Sequence, residues 1–395
     1  MILTGKAIYD YNEIGAAVDV LEDGRLGLNK TGEKFENKFA GIMGQKFSAL
    51  TNSGSSASLL ALEAIKKRYN LKGGEIITPA CNFPTTINPI IQLGFTPVFV
   101  DIDNTLNAPI ELLQTALSKK TVGVVLAHTL GNPFEANKVR KFCKDNKLFL
   151  LEDTCDAYGS TYKNKPCGSF GNVSTASFYP AHHITLAGEG GAVATSDPLT
   201  LKYIKSFRDW GRDCSCMAGQ DNRCKNRFNF KLGDIEYDHK YMYSSIGYNL
   251  KPTEMQAAFG LEQIKRLPKF NSSRRRNFKN YMKIMSPLKD EIDFIKINKH
   301  ADPVLFGFPM IIKNPLVSRK ELMLYLNEKD IATRLLFGGN VTLQKAYKDS
   351  KYKVSGSLDY TNNITNKLFW TGIHPGVSKD DIIYIKETME EFLHD

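Results

Sequence analysis

Short apolar and β-branched runs alternate along most of the chain with longer segments whose apolar residues recur every three to four positions. The candidate strands are Glu75–Thr78, Thr96–Val100, Val122–Leu126, Leu148–Leu151, Ser174–Phe178 and Gly191–Thr195. Helical segments such as Ser56–Tyr69 and Ile110–Ser118 lie between them. That alternation predicts an α/β fold with a mainly parallel sheet covered by helices on both faces. Thr253-Glu-Met-Gln256 is a capping box, and the helix it opens is predicted to run to about Arg266 and to stop at Pro268. Beyond residue 270 buried-strand runs become fewer, with Gly307–Ile312 the clearest. The expected division is a large domain, 1–268, and a smaller α+β domain, 269–395. Arg274, Arg275 and Arg276 read as a solvated helix face, the alternative being a hold on a nucleotide diphosphate.

Composition narrows the class. With 395 residues, 42% of them hydrophobic and 11% aromatic, the chain can fill a real core, which excludes a disordered chain and a disulfide-stapled mini-domain. The excess of 52 Lys and Arg over 42 Asp and Glu is spread along the chain and suits anionic small molecules as readily as nucleic acid. Ile76–Val100 is uncharged but holds Pro79, Pro84, Pro89 and Pro97, so it reads as strand, loop and strand and not as a membrane span. Met1–Gly15 lacks a basic segment followed by an apolar one, so no secretory signal is read there and a cytoplasmic location is expected. Seven cysteines, an odd number, then favour thiol chemistry or metal ligation over disulfides.

Three strings carry candidate chemistry. Thr51-Asn-Ser-Gly-Ser-Ser-Ala57 is a small-residue turn entering a helix, where free N–H groups suit a phosphate, although a plain helix cap would look the same. Leu151-Glu-Asp153 puts an acid at the carboxyl end of an apolar strand, the edge at which open α/β sheets bind ligands; a helix cap is the other reading. Ser177-Phe-Tyr-Pro-Ala-His-His183 places two histidines in a strand-to-loop turn ahead of Gly188-Glu-Gly-Gly191. Such a pair is core, surface or functional according to its context.

Taken in order, Gly54-Ser-Ser56, Phe83, Glu152-Asp153, Ser177-Phe-Tyr-Pro180, the Gly188–Gly191 strand entry and Tyr248-Asn-Leu-Lys-Pro-Thr-Glu-Met-Gln256 resemble the DegT/DnrJ/EryC1/StrS sugar aminotransferases. The resemblance covers nearly the whole chain. It implies a fold type I pyridoxal-phosphate enzyme, with a mainly parallel seven-stranded sheet in the large domain and a smaller α+β C-terminal domain. Two residues after Pro180, where that family normally has the lysine that tethers the cofactor, this chain has His182. Imidazole moves protons but forms no imine, so the implied cofactor is diffusible pyridoxamine phosphate.

Two subfamilies are similar in this respect, the CDP-4-keto-6-deoxyglucose 3-dehydrases and the cluster-free GDP-4-keto-6-deoxymannose 3-dehydratases. Cys214, Cys216 and Cys224 form C-x-C-x7-C, and Cys155 stands two residues after Asp153. In the CDP-sugar group this set holds a [2Fe–2S] cluster, for which thiolates are suitable ligands; a zinc site is the alternative. The flanking strings Phe207–Asp213, Tyr237–Tyr241 and Thr333–Phe337 resemble the same group, and the cluster loop is expected over 207–245.

By matching position, the resemblance implies His182 as base, with His183 the runner-up, and Asp153 on the cofactor's ring nitrogen. Ser55, Ser56 and Ser177 fall on the phosphate beside Gly54, Phe83 on the ring, Asp156 near the ring hydroxyl, and Asn249 on the phosphate of a neighbouring subunit. The expected partners are a nucleotide sugar, a second copy in a homodimer and an NADH-dependent flavin iron–sulfur reductase, with neither nucleic acid nor membrane. A scaffold that binds the cofactor without catalysis is a further alternative. The chain departs from the group by one extra residue near Ala187 and a shorter N-terminal region.

Overall fold

The computed structural model, which describes residues 1–214, 216, 221–222 and 225–394, assembles the apolar runs into one eight-stranded sheet. In spatial order the strands are Phe47–Thr51, Gly191–Thr195, Val173–Ser177, Phe149–Asp153, Thr121–Ala127, Glu75–Pro79, Thr96–Val100 and Lys353–Val354. Gly191–Thr195 runs antiparallel to both neighbours, and the remaining pairings are parallel. Against the seven strands expected, the eighth is the two-residue edge Lys353–Val354, too short to leave a periodic signature. Phe47–Thr51 was also absent from the expected strands, because Phe-Ser-Ala-Leu-Thr contains only one β-branched residue.

Both faces of the sheet are buried, as the unbroken runs require. On Thr121–Ala127, Val124 and Leu126 pack with Phe134, Phe142 and Leu150 on one side. Val125 packs with Leu60, Ile65 and Leu151 on the other. Each fully buried side chain of this size contributes about 1.5–3 kcal/mol, which holds the helices against the sheet. The helix expected over Ser56–Tyr69 spans Gly54–Arg68, and that expected over Ile110–Ser118 is shorter, Ile110–Thr115. No helix among the described residues is long and apolar enough to cross a membrane.

The capping box forms as read, with the Thr253 hydroxyl accepting from the Gln256 amide and the Gln256 side chain accepting from the Thr253 amide. Pro268 does not end that helix, which continues to Ile284. The missing N–H costs roughly 3 kcal/mol. Burial on both sides of the proline outweighs it: Leu267 and Phe270 pack with Phe178, Ile184 and Leu186, and Tyr281 enters the core built on Gly307–Ile312 and Leu368–Gly372. The expected boundary at 268 therefore falls inside one continuous helix. The arginine triplet on it is not a uniformly solvated face. Arg276 is exposed and Arg275 reaches Asp302, but Arg274 is only 1% exposed.

The segment expected to carry an extra residue near Ala187 contains two positive-φ positions, Ala187 at φ 57° and Gly188 at φ 127°. The Thr185 hydroxyl accepts from the Gly188 amide at 3.4 Å, and Gln256 Nε2 donates to the Glu189 carbonyl at 2.8 Å. A Cβ in the left-handed region costs about 1–2 kcal/mol. Ala187→Gly is accordingly expected to raise stability by about 1 kcal/mol in denaturant unfolding.

Candidate active site

The carboxyl ends of the parallel strands open into a cavity of about 680 Å³. Ser53, Gly54, Ser55 and Ser58 line it at the start of the helix Gly54–Arg68, and Ser177 closes the same corner from the end of its strand. The turn lies hard against the sheet. A Cβ on Gly54 would stand 2.5 Å from Ser177 Cβ, and one on Gly191 would stand 2.2 Å from the Ser53 carbonyl oxygen. Only glycine permits this approach, which presents the helix N-terminus to the cavity. Ser56, expected among the phosphate residues, does not line the cavity. Its amide donates to Ser53 Oγ at 3.1 Å and its hydroxyl meets the same oxygen at 3.0 Å, so the helix cap consumes it. Ser53 and Ser58, absent from the sequence-based set, stand there instead.

Asp153 lies at the floor. Its carboxylate accepts from the Thr86 hydroxyl at 2.5 Å and from the Cys155 amide at 3.0 Å. Thr86 was not foreseen, since a lone Thr in a helix carries no signal. Phe83, which precedes the helix Pro84–Gln92, is 50% exposed, leaving a ring face open over the cavity, and meets Phe337 edge-on at 6.2 Å.

The two histidines part company. His182 lines the cavity, with Nδ1 3.5 Å from Asp156 Oδ1 and its ring 4.9 Å from that of Phe306. His183 is buried against Tyr158, with Nε2 3.0 Å from the Val304 carbonyl oxygen, and does not line the cavity. The runner-up base is thereby set aside. Burial, reinforced by the Arg274 cation, drives His182 down to about 3. Burial, with Asp153 beside it, pushes Asp156 up to about 8. Both members of the pair are thus driven toward their neutral forms. Among the described residues no lysine lines the cavity.

Asn249 is exposed, bridges back to Asp209 and stands outside the cavity. Of the four cysteines expected together, Cys155 lines the main cavity. Cys214 and Cys216 share a smaller one with Arg227, His239 and Lys240. The Cys216 amide donates to Cys214 Sγ at 3.4 Å. Cys224 lies outside the described residues, among which no group of three metal-ligating side chains comes together. Asp221 also lines the smaller cavity, and the basic residues there are paired, Arg227 with Asp221 and Asp238 and Lys240 with Asp221. Two adjacent thiols suit a metal–sulfur centre in chemistry, while the full donor set is not assembled among the described residues.

Comparison with known proteins follows this geometry. The family model for the DegT/DnrJ/EryC1/StrS aminotransferase family matches residues 8–390. A dTDP-4-dehydro-2,6-dideoxy-D-glucose 3-dehydratase of Saccharopolyspora spinosa is 42% identical over 98% of this chain and 85% of its own. The lipopolysaccharide biosynthesis protein RfbH of Salmonella typhimurium is 44% identical over 98% of this chain and 91% of its own. Among solved structures, Escherichia coli GDP-4-keto-6-deoxy-D-mannose-3-dehydratase with bound hydrated PLP superposes with a TM-score of 0.88 at 31% identity, covering 98% of this chain and 99% of its own. The fold is that of the fold type I PLP-dependent aminotransferases.

Acid stability tests the burial of this region. His182, His183 and His374 are all held below the usual 6.5, chiefly by burial, His182 at about 3 and His374 at about 4. Below pH 6.5 the unfolded chain takes up protons that the folded chain refuses, so each site loses about 1.4 kcal/mol per pH unit as pH falls. Asp156, raised from 3.8 to about 8, works in the opposite sense and cancels one of the three. His374→Gln is expected to roughly halve the net loss of stability between pH 6.5 and 5, read from unfolding free energies at each pH.

Proposed function

As the chain belongs to the DegT/DnrJ/EryC1/StrS aminotransferase family, we propose that it removes the C3 hydroxyl of a nucleotide-linked 4-keto-6-deoxyhexose in dideoxysugar synthesis, with pyridoxamine phosphate as cofactor. One observation carries the proposal: the side chain at the tethering position is His182, and no lysine among the described residues lines the cavity. The naming of relatives as 3-dehydratases supports the same reaction. CDP is the nucleotide the sequence resemblance favours.

Bound pyridoxamine phosphate supplies an amine to condense with the C4 ketone and a ring that accepts electron density. The chain's residues do the rest. Gly54, Ser55 and Ser177, with Ser53 and Ser58, hold the phosphate at the helix N-terminus, and Phe83 covers the ring. Asp153, braced by Thr86 and the Cys155 amide, keeps a proton on the ring nitrogen. His182, which lines the cavity, would serve as the neutral base. Because Nδ1 is turned to Asp156, proton transfer falls to Nε2. Asp156 reaches the ring hydroxyl while bracing the imidazole, and Asn249 completes the phosphate site of a second subunit in a homodimer.

Deoxygenation needs two electrons after the hydroxyl leaves. We assign Cys155, Cys214, Cys216 and Cys224 as the residues that would hold a [2Fe–2S] cluster, which would supply one-electron chemistry fed by an NADH-dependent flavin iron–sulfur reductase. The backbone link between Cys155 and Asp153 supports placing the cluster near the cofactor.

Incubation with a panel of NDP-4-keto-6-deoxyhexoses and a reductant should yield a product lighter by one oxygen in mass spectrometry. His182→Asn is expected to cut that rate at least about 100-fold while leaving the cofactor's absorption intact. A fully active His182→Asn enzyme would exclude the assigned base. Anaerobically purified protein should contain two irons per chain, and Cys214→Ser should bleach it. Colourless protein that turns over with glutamate alone would identify the cluster-free type of dehydratase instead.

A further inference from the structure

Arg274 is the largest fully buried side chain in the molecule among the described residues. It comes within ion-pair distance of no carboxylate among them. Its Nη1 donates to the Leu305 and Phe306 carbonyl oxygens at 3.2 and 3.1 Å, and its Nε has no partner. A guanidinium removed from water without a counter-ion is costly, and a well-packed neutral side chain would serve the fold at least as well.

The segment it grips is fixed at every point. The Val304 amide donates to Ser160 Oγ at 2.8 Å, the Val304 carbonyl faces His183 Nε2 at 3.0 Å, and the Phe306 amide donates to the Leu130 carbonyl at 2.9 Å. The Phe306 ring then stands between two others, His182 at 4.9 Å and Trp370 at 5.3 Å. Trp370 is itself locked, since its Nε1 donates to the Leu335 carbonyl at 2.9 Å. Its ring also lies over Gly307, where a Cβ would come within 2.3 Å. A run of tilted ring contacts therefore leads from a rigid strand to the imidazole.

We propose that Arg274 is a positioning residue, which by clamping the Leu305 and Phe306 carbonyls seats the Phe306 ring against His182 and fixes the imidazole with its Nδ1 toward Asp156. The guanidinium lies close enough to act on the charge of His182 directly, and it opposes protonation there. A residue that misplaces a base by an ångström can cost about 100-fold in rate without touching substrate. The catalytic half of the inference rests on the proposed deoxygenation; the orientation of His182 does not.

Two readouts separate the cases. In protein labelled with ¹³C at histidine Cε1, the His182 resonance is assigned by its loss in His182→Asn and followed without substrate. Arg274→Met and Phe306→Leu are each expected to shift or broaden it, and Arg274→Lys to restore it in part. With substrate, both variants should lower kcat about 10- to 100-fold with KM within about threefold, and the double variant should fall short of the product of the two. If folded Arg274→Met lowers only the melting temperature, leaving resonance and kcat unchanged, the arginine is purely structural and the proposal is overturned. Should Arg274→Met fail to fold, Phe306→Leu decides alone, because it removes the ring and keeps the clamp; an unmoved His182 resonance overturns the proposal. Wild-type protein that deoxygenates no sugar nucleotide sinks the assigned reaction, while the resonance still decides the positioning.

Discussion

A carboxylate sealed from water must find donors, and Glu152 meets this demand in a way that ties together three neighbouring strands of the sheet. Fully buried, it accepts from the amides of Gly168, Phe170 and Gly171 and faces His128 Nε2 at 2.9 Å. The loop ahead of Val173–Ser177 and the residue after Thr121–Ala127 are thus pinned to one strand end. Because successive strand residues point to opposite faces, anchoring Glu152 on one side commits Asp153 to the other, where the cavity lies. Leaving such a group unpaired costs about 3–5 kcal/mol, so the edge that carries the site is also expensive to disorder.

The electrostatics of the cavity follow from its dryness. Burial favours whichever form of a titratable group is uncharged, and His182 and Asp156 are shifted in opposite directions to the same end. A neutral imidazole is the form that accepts a proton. The cavity thereby presents a neutral imidazole, and among the described residues no lysine lines it.

Local chemistry was legible in the sequence, and contacts made across the fold were not. The strand runs, the glycine-serine turn, Asp153 and His182 could be read because each leaves a mark within a few residues: an unbroken apolar run, a break before a helix, an acid at a strand end, a histidine in a fixed string. Six of the eight strands coincide with runs read from the sequence; Phe47–Thr51, poor in β-branched residues, and the two-residue Lys353–Val354 do not. Thr86 could not be read, because its role arises from a side chain 67 positions away. Ser55 and Ser56 look equivalent in the sequence, and only the cap contact with Ser53 shows that Ser56 turns to the helix start while Ser55 lines the cavity. Arg274 misled for the opposite reason. A charge run on a helix is ordinarily wet, and only tertiary packing reveals one member turned inward.

The helix Glu254–Ile284 gives the molecule a mechanical axis. Near its start Gln256 holds the glycine loop, Arg266 ties it to Glu13, Arg274 grips the backbone beside the base, and Tyr281 is sunk in the far core. Both halves are therefore mounted on one shaft, with a proline at its middle that removes a single rung from the ladder. Twisting or flexing at that missing rung would shift the glycine loop and the His182 imidazole relative to one another, so mutations there would alter the geometry of the cavity before they unfold the chain.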